Sequence, residues 1–261
     1  MTPAPPILPE GIPRAIAWRV LGQSLWQVDL ADGSAAVVKR TPYRAEMEAD
    51  GLEALRDAGA PVPSVMAVAQ HLLVLEHVSG PPDWAGLGAT LATVHRRSAD
   101  RFGWGRANAL GPLPQPNPWT DDWAEFYAEQ RLRPHVDAPG VPPEARRRLH
   151  AGIDGPLAEL LGTPPPSLIH GDLWSGNVVG GRWLIDPAVC YADREHELAF
   201  MEVFGGFPPA MFDAYERAWP LSEGWRRRRP ALQLYHLLVH VRLFGPGYVP
   251  AVISRLDSLG W

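Results

Sequence analysis

Apolar residues in this chain change their period once, and that change limits the possible fold more than any other feature. Up to Val78 most apolar runs are short and β-like: "RAIAWRVL", "SLWQVDL", "SAAVVKR", "VPSVMAVA" and "HLLVLEHV". The second and third are separated by Ala31-Asp32-Gly33, whose Asp-Gly pair is a strong hairpin signal, so these pieces read as an antiparallel sheet. One stretch among them, "YRAEMEADGLEALRDAG", has helical spacing; Gly59 closes it and Pro61 and Pro63 block its continuation. At Val78-Ser79-Gly80-Pro81-Pro82-Asp83 the pattern breaks, and nearly everything beyond has helical period or is proline-rich loop. The reading is an α+β chain with a small antiparallel β lobe carrying one helix, residues 1–78, and a larger, mainly helical lobe, residues 79–261.

Helices are expected over Trp84 to Arg97, Trp119 to Arg133, Pro143 to Leu161, Glu195 to Phe204, Pro209 to Trp219, Arg226 to Leu243 and Val249 to Leu259. With 261 residues, 46% of them hydrophobic and 20% charged, the chain has material for both lobes and the balance of a globular protein. No window approaches the roughly 18 uninterrupted apolar residues of a membrane span. The opening MTPAPPILPE lacks the basic and apolar regions of a signal peptide, so a cytoplasmic protein is expected. The single cysteine, Cys190, rules out an intramolecular disulfide and a multi-cysteine metal site. A net charge of -5 argues against general nucleic-acid affinity; the run Arg226 to Arg229 reads first as a solvated helix end and second as a phosphate or substrate contact.

The stretch "LIHGDLWSGNVV", residues 168–179, loads an apolar strand with a histidine, a carboxylate and an asparagine. Strand-loop-strand geometry places "SLIH" beside "RWLID" and brings Asp172, Asn177 and Asp186 to one end of a small sheet. Two carboxylates and an amide oxygen form a hard-oxygen set suited to Mg²⁺, and burying the acids together without a cation would cost several kcal/mol. The spacing D-x-x-x-x-N with a second Asp nine positions on matches the catalytic loop and metal site of eukaryotic-type kinases, where the first Asp accepts the hydroxyl proton.

The other parts of such a site follow in order. Lys39 ends the strand "AAVVK", where a kinase needs a cation for the α- and β-phosphates of ATP. Glu48, Leu52 and Leu55 share one face of the following helix, whereas Glu46, Asp50, Glu53 and Asp57 form an acidic face, so Glu48 is the expected partner of Lys39. An extended strand passing between the lobes, with free backbone N–H and C=O groups at Glu76, His77 and Val78, suits an adenine, and Gly22 in "VLGQSLWQV" stands where a phosphate loop would lie. His170 reads as a structural hydrogen-bonder before it reads as an acid or base. Trp174 either stacks on a sugar or packs, with Trp225 and Tyr235 as further aromatic candidates for a sugar platform.

"LIHGDLWSGNVV", then "LIDPAVCYADREHELAFMEVFGGFP" and "LYHLLVHVRLFGPGY", resemble the bacterial branch of the fructosamine (ketosamine) kinase family, and the similarity runs from about Leu21 to the C-terminus. "RFGWGRANALGPLPQPNPWTDDWAEFYAEQRL", with Gln115 and Asn117, is similar to that family's segment between hinge and catalytic loop. The resemblance implies a two-lobed protein-kinase-like fold that uses ATP and Mg²⁺ to phosphorylate a sugar hydroxyl of small-molecule or protein-bound ketoamines. It further implies the 3-hydroxyl as acceptor, ribulosamines and erythrulosamines as favoured substrates, and a role in deglycation. Departures from the family pattern are one glycine where it has two near Gly22, Cys190 for an aromatic, Ala192 for glycine and Glu197 for aspartate. The alternatives are a kinase of another hydroxylated amine, such as an aminoglycoside or choline-like compound, and a nucleotide-binding pseudokinase.

Overall fold

The computed structural model describes residues 4–261. β1 (Ala15–Gly22), β2 (Leu25–Leu30) and β3 (Ala35–Arg40) form a meander, helix α1 (Glu46–Asp57) follows, and β4 (Val65–Ala69) and β5 (Leu72–Glu76) complete the small lobe. The strands lie in the order β1-β2-β3-β5-β4, each antiparallel to its neighbours. Alternation along the strands divides the two faces. Val28, Leu30, Ala36, Val38 and Val74 make a small core on one face, against which Leu8 and Ile12 of the N-terminal segment pack. On the other face Leu73 and Leu75 join Leu52 and Leu55 of α1 in the main core. Lys39 is opposite Leu25 of β2 and Leu73 of β5, so the pleat sends its side chain to the helix-covered face.

The larger lobe opens with α2 (Trp84–His95), where the Asp83 side chain accepts a hydrogen bond from Gly86 N–H at the helix start. A short hairpin of β6 (Asn108–Leu110) and β7 (Leu113–Gln115) precedes α3 (Trp123–Phe126), which runs through a widened turn at Tyr127–Leu132 into α4 (Arg133–Val136). Next come α5 (Pro143–Asp154), α6 (Leu157–Leu161), and strands β8 (Ser167–Ile169), β9 (Val178–Val179), β10 (Trp183–Leu184) and β11 (Cys190–Ala192). Helices α7 (Arg194–Met201), α8 (Pro209–Ala218), α9 (Trp225–Phe244) and α10 (Val249–Leu259) finish the chain. Among the described residues no helix is long and apolar enough to cross a membrane.

Three details differ from the sequence reading. The helix expected from Trp119 begins at Trp123, because Thr120 exchanges two backbone hydrogen bonds with Phe102 and Asp122 caps the helix through Glu125 N–H. The helix expected over Pro143 to Leu161 breaks at Gly155, followed by Pro156. "SLIH" does not lie beside "RWLID": β8 pairs with β11, Ile169 opposite Cys190, and β10 pairs with β9. The cause is the Gly180-Gly181 turn, left-handed at both residues (φ 58° and 67°), which folds β10 back onto β9.

Gly88 sets how closely α2 approaches α8, since a Cβ there would lie 2.1 Å from the Met211 carbonyl oxygen. Gly88→Ala is expected to push the helices apart and lower unfolding free energy by about 2 kcal/mol, read from the urea midpoint at constant m-value.

Candidate active site

The centre of the interlobe region is an ammonium held by two acids. Lys39 Nζ lies 2.8 Å from Glu48 Oε2 and 2.7 Å from Asp186 Oδ1. β3 supplies the lysine, α1 the glutamate, and the segment after β10 the aspartate. Burial opposes the charge on Lys39, but the Glu48 and Asp186 carboxylates outweigh it and hold the amine above the ordinary lysine range. Burial likewise raises Glu48, and the lysine charge pulls the other way. At 2.8 Å from an ammonium kept protonated, Glu48 forms an ion pair. Its second oxygen, Oε1, is buried without a partner.

Asp186 has φ 56° and is the one non-glycine with positive φ among the described residues. That strained backbone aims a half-exposed carboxylate back across the site. In the loop between β8 and β9, the Asn177 amide nitrogen donates to the Asp172 carbonyl at 2.9 Å and to Asp172 Oδ2 at 3.2 Å. Asn177 Oδ1 therefore faces away from those bonds as a spare acceptor. Burial, and next the charge of Asp186, push the Asp172 carboxyl up to about 8. The residues fit a divalent cation: Asp172, Asn177 and Asp186 offer only oxygen donors, and a positive charge there would relieve the repulsion between the acids.

The catalytic-loop backbone rests on a buried carboxylate that the sequence reading passed over except as a family departure. Glu197 of α7 accepts from His170 N–H at 3.1 Å, Gly171 N–H at 2.7 Å and His95 Nε2 at 2.9 Å. Burial works against its charge, but these bonds prevail and hold the carboxyl below the usual glutamate range. The chain of bonds continues from His95 Nδ1 to the Tyr215 hydroxyl, which Arg194 also contacts. Gly171 has φ 83°, and a Cβ on it would meet the Ala188 carbonyl oxygen at 2.1 Å, so this position needs glycine twice over. His170 is fully buried; its Nε2 donates to the Ile185 carbonyl and its Nδ1 accepts from Asp172 N–H, which makes it a neutral brace between the loop and the Asp186 segment.

Lys39 and Asp186 line a cavity of about 320 Å³ with Leu21, Leu25, Val37, Leu75, Glu76, His77 and Val78. Neither the Glu76 nor the His77 N–H is free, since they donate to the Ser64 carbonyl at 2.9 Å and the Ala35 carbonyl at 3.1 Å. Gly22 is not among the lining residues; Ser24 of the tight Gln23-Ser24 turn is. Trp174 is 42% exposed at the loop surface, its ring lying across Gly176. Trp225 and Tyr235 are buried away from this cavity, Tyr235 with its hydroxyl on Gln115 Oε1. In the arginine run, Arg228 pairs with Glu195 and Arg229 with Glu202. The segment between hinge and loop grips α1: Trp104 Nε1 donates to Asp50 Oδ2 at 2.6 Å, while its ring lies 5.6 Å from that of Tyr191, tilted by 37°. An indole partner for an acid on the face opposite Glu48 has no signature in spacing.

A five-stranded lobe with a buried Lys–Glu pair, set on a helical lobe carrying an Asp/Asn loop and a second Asp, is the protein-kinase-like fold. The fructosamine kinase family model matches residues 38–259, and the chain belongs to that family. It is 39% identical over 224 residues to a probable ketoamine kinase of Synechocystis sp., covering 78% of this chain and 74% of the relative. A Thermobifida fusca crystal structure solved under the name fructosamine-3-kinase superposes with TM-score 0.86 at 37% identity, over 94% of this chain and 93% of that one. A macrolide 2'-phosphotransferase from Brachybacterium faecium, TM-score 0.56 at 15% identity over 92% and 90%, shares the fold alone.

Two outcomes are expected from the supporting bonds. Glu197→Gln keeps the shape and removes the charge, lowering stability at pH 7 by about 2–3 kcal/mol. Because the folded carboxyl sits below the usual range, its contribution is complete above the unfolded value of about 4.3 and fades as pH falls through the lower folded one. The stability gap between parent and variant should therefore narrow only on acidification, as read by urea unfolding from pH 7 to 3.5. Trp104→Phe keeps the ring and loses the donor, and should lower the urea-unfolding free energy by about 1.5 kcal/mol.

Proposed function

We propose that this protein transfers the γ-phosphoryl group of ATP to a sugar hydroxyl of ketoamines, small-molecule or protein-bound, and thereby serves deglycation. The observation that carries the reading is the meeting of Lys39, Glu48 and Asp186 within 2.8 Å, inside a chain of the fructosamine kinase family. Asp172 is the base that accepts the hydroxyl proton. Asn177 and Asp186 hold Mg²⁺, whose charge would neutralise the phosphates and keep both nearby carboxylates ionised. Lys39, oriented by Glu48, contacts the α- and β-phosphates. Glu76, His77 and Val78 face the adenine, with Gly22 and its turn at the phosphates, and Trp174 meets the sugar. Such a site works by positioning and charge stabilisation, because phosphoryl transfer passes through a loose transition state. A chain whose single cysteine is buried and which consumes ATP suits the cytoplasm.

ADP release with ribulose-lysine, fructose-lysine and kanamycin side by side tests the reading. Turnover of the two ketoamines is expected; turnover of kanamycin alone, or of none, defeats it. Asp172→Asn should lower kcat by about 10²- to 10⁴-fold while nucleotide affinity stays near the parent's, and an unchanged kcat would remove Asp172 from its role.

A further inference from the structure

Four aromatic side chains among the described residues are exposed: Trp119, Trp174, Phe204 and Phe244, the last at 66%. Trp174 belongs to the catalytic loop, and two lines of contact lead from that loop to the phenylalanines. Along the first, the Gly206 backbone lies so close to Ser175 that a Cβ would meet its hydroxyl at 2.3 Å, with Phe204 two positions earlier. Along the second, His236 Nε2 donates to the Gly171 carbonyl at 3.2 Å, and its ring stacks on Phe200 with centroids 3.5 Å apart. From His236, α9 carries His240 and Phe244 on the same face, one and two turns further on.

The lines converge. Phe204 packs on His240 at 4.5 Å, Tyr248 touches both at 6.1 and 5.1 Å, and Phe244 lies 5.2 Å from His240 and 6.2 Å from Tyr248. A cluster of rings on the surface forgoes hydrophobic burial and marks a binding face. On the surface it adjoins the loop bearing Asp172 and Trp174 through the Gly206–Ser175 contact, His236 and Phe200 being buried beneath, and that adjacency selects the occupant. A ketoamine joins its sugar to an amine on a carrier, and when that carrier is a lysine side chain it is a run of methylenes. Ring faces cover methylenes and attract cationic nitrogen.

We propose that Phe204, Phe244 and Tyr248 form a carrier subsite, which holds the alkyl arm of the amine while the sugar lies beside Asp172. The proposal rests on the ketoamine reading above. It assigns choice among carriers to this cluster and choice among sugars to the catalytic loop.

The test compares kcat/KM for Nε-ribulosyl-lysine with that for carrier-free 1-amino-1-deoxyribulose, in the parent and in Phe204→Ala, Phe244→Ala and Phe244→Leu. The ratio is expected to fall about tenfold in the alanine variants, through KM for the lysine adduct, with Phe244→Leu between them and the parent. Phe244 is mostly exposed, so its truncation leaves the core intact. An unchanged ratio, including equal losses on both substrates, overturns the proposal. Self-association of the parent that Phe244→Ala abolishes, with the ratio unchanged, overturns it in favour of a second copy on this face. A parent that phosphorylates neither compound defeats the ketoamine reading instead.

Discussion

One ammonium joins three pieces of chain at a single point. Lys39 lies on the central strand of the sheet, Glu48 sits on the helix that follows it, and Asp186 lies 147 residues beyond the lysine in the other lobe. Each carboxylate alone would be an unfavourable buried or strained charge: Glu48 is 1% exposed, and Asp186 is held in the left-handed region. With the cation between them both are offset. The pair is therefore poor as a source of stability and good as a device of register, since a shift of the lysine by one residue along β3 would send it to the opposite face of the sheet.

The catalytic loop depends on a second buried charge, of the opposite kind. Backbone N–H groups of His170 and Gly171 point inward, and Glu197 accepts both while a histidine from α2 donates to it. The resemblance to the family implies the shorter aspartate at this position. The glutamate here still reaches two consecutive amides with separate oxygens, Oε2 to His170 and Oε1 to Gly171, so the departure preserves the anchor. His170 then braces the loop to the Asp186 segment through Ile185. Asp172 is positioned by this scaffold of main-chain bonds, which explains why so polar a stretch follows a buried strand.

The small lobe was legible because its signals are local. Strand alternation, the Asp-Gly turn and helix phase each act within a few residues, and they give the strands of the sheet, the extent of α1 and the inward direction of Glu48. The motif from His170 to Asn177 was equally plain, and its Asn177 carbonyl accepts from Ile185 N–H at 3.1 Å, next to Asp186 in the chain. What spacing could not provide was the support: His95, Glu197, Tyr215 and Arg194 come from three separate helices, and only tertiary packing brings them into one chain of bonds. Strand partners also escaped the sequence, since two strands of two or three residues give no register of their own and the left-handed Gly180-Gly181 turn chose β9 for β10. Aromatic identity was a poor guide too: Trp225 and Tyr235 are core residues, while the exposed rings among the described residues are Trp119, Trp174, Phe204 and Phe244.

Contacts across the lobes give α1 little freedom to swing. Asp50 is bonded to Trp104, and Gly51 lies against Pro187, where an added Cβ would meet the proline ring at 3.0 Å. Pro187 follows Asp186 directly, so the helix that carries Glu48 is seated on the segment that carries Asp186, and the indole bond holds it there from the side. Kinase-like folds in which that helix swings must form the Lys–Glu pair anew at each opening. Here the pair is built on two attachments that do not involve it, Trp104 on Asp50 and Pro187 against Gly51. A site that catalyses by position gains from this, because the ordering of Lys39, Glu48 and Asp186 is settled during folding and is not drawn from the binding energy of the substrates.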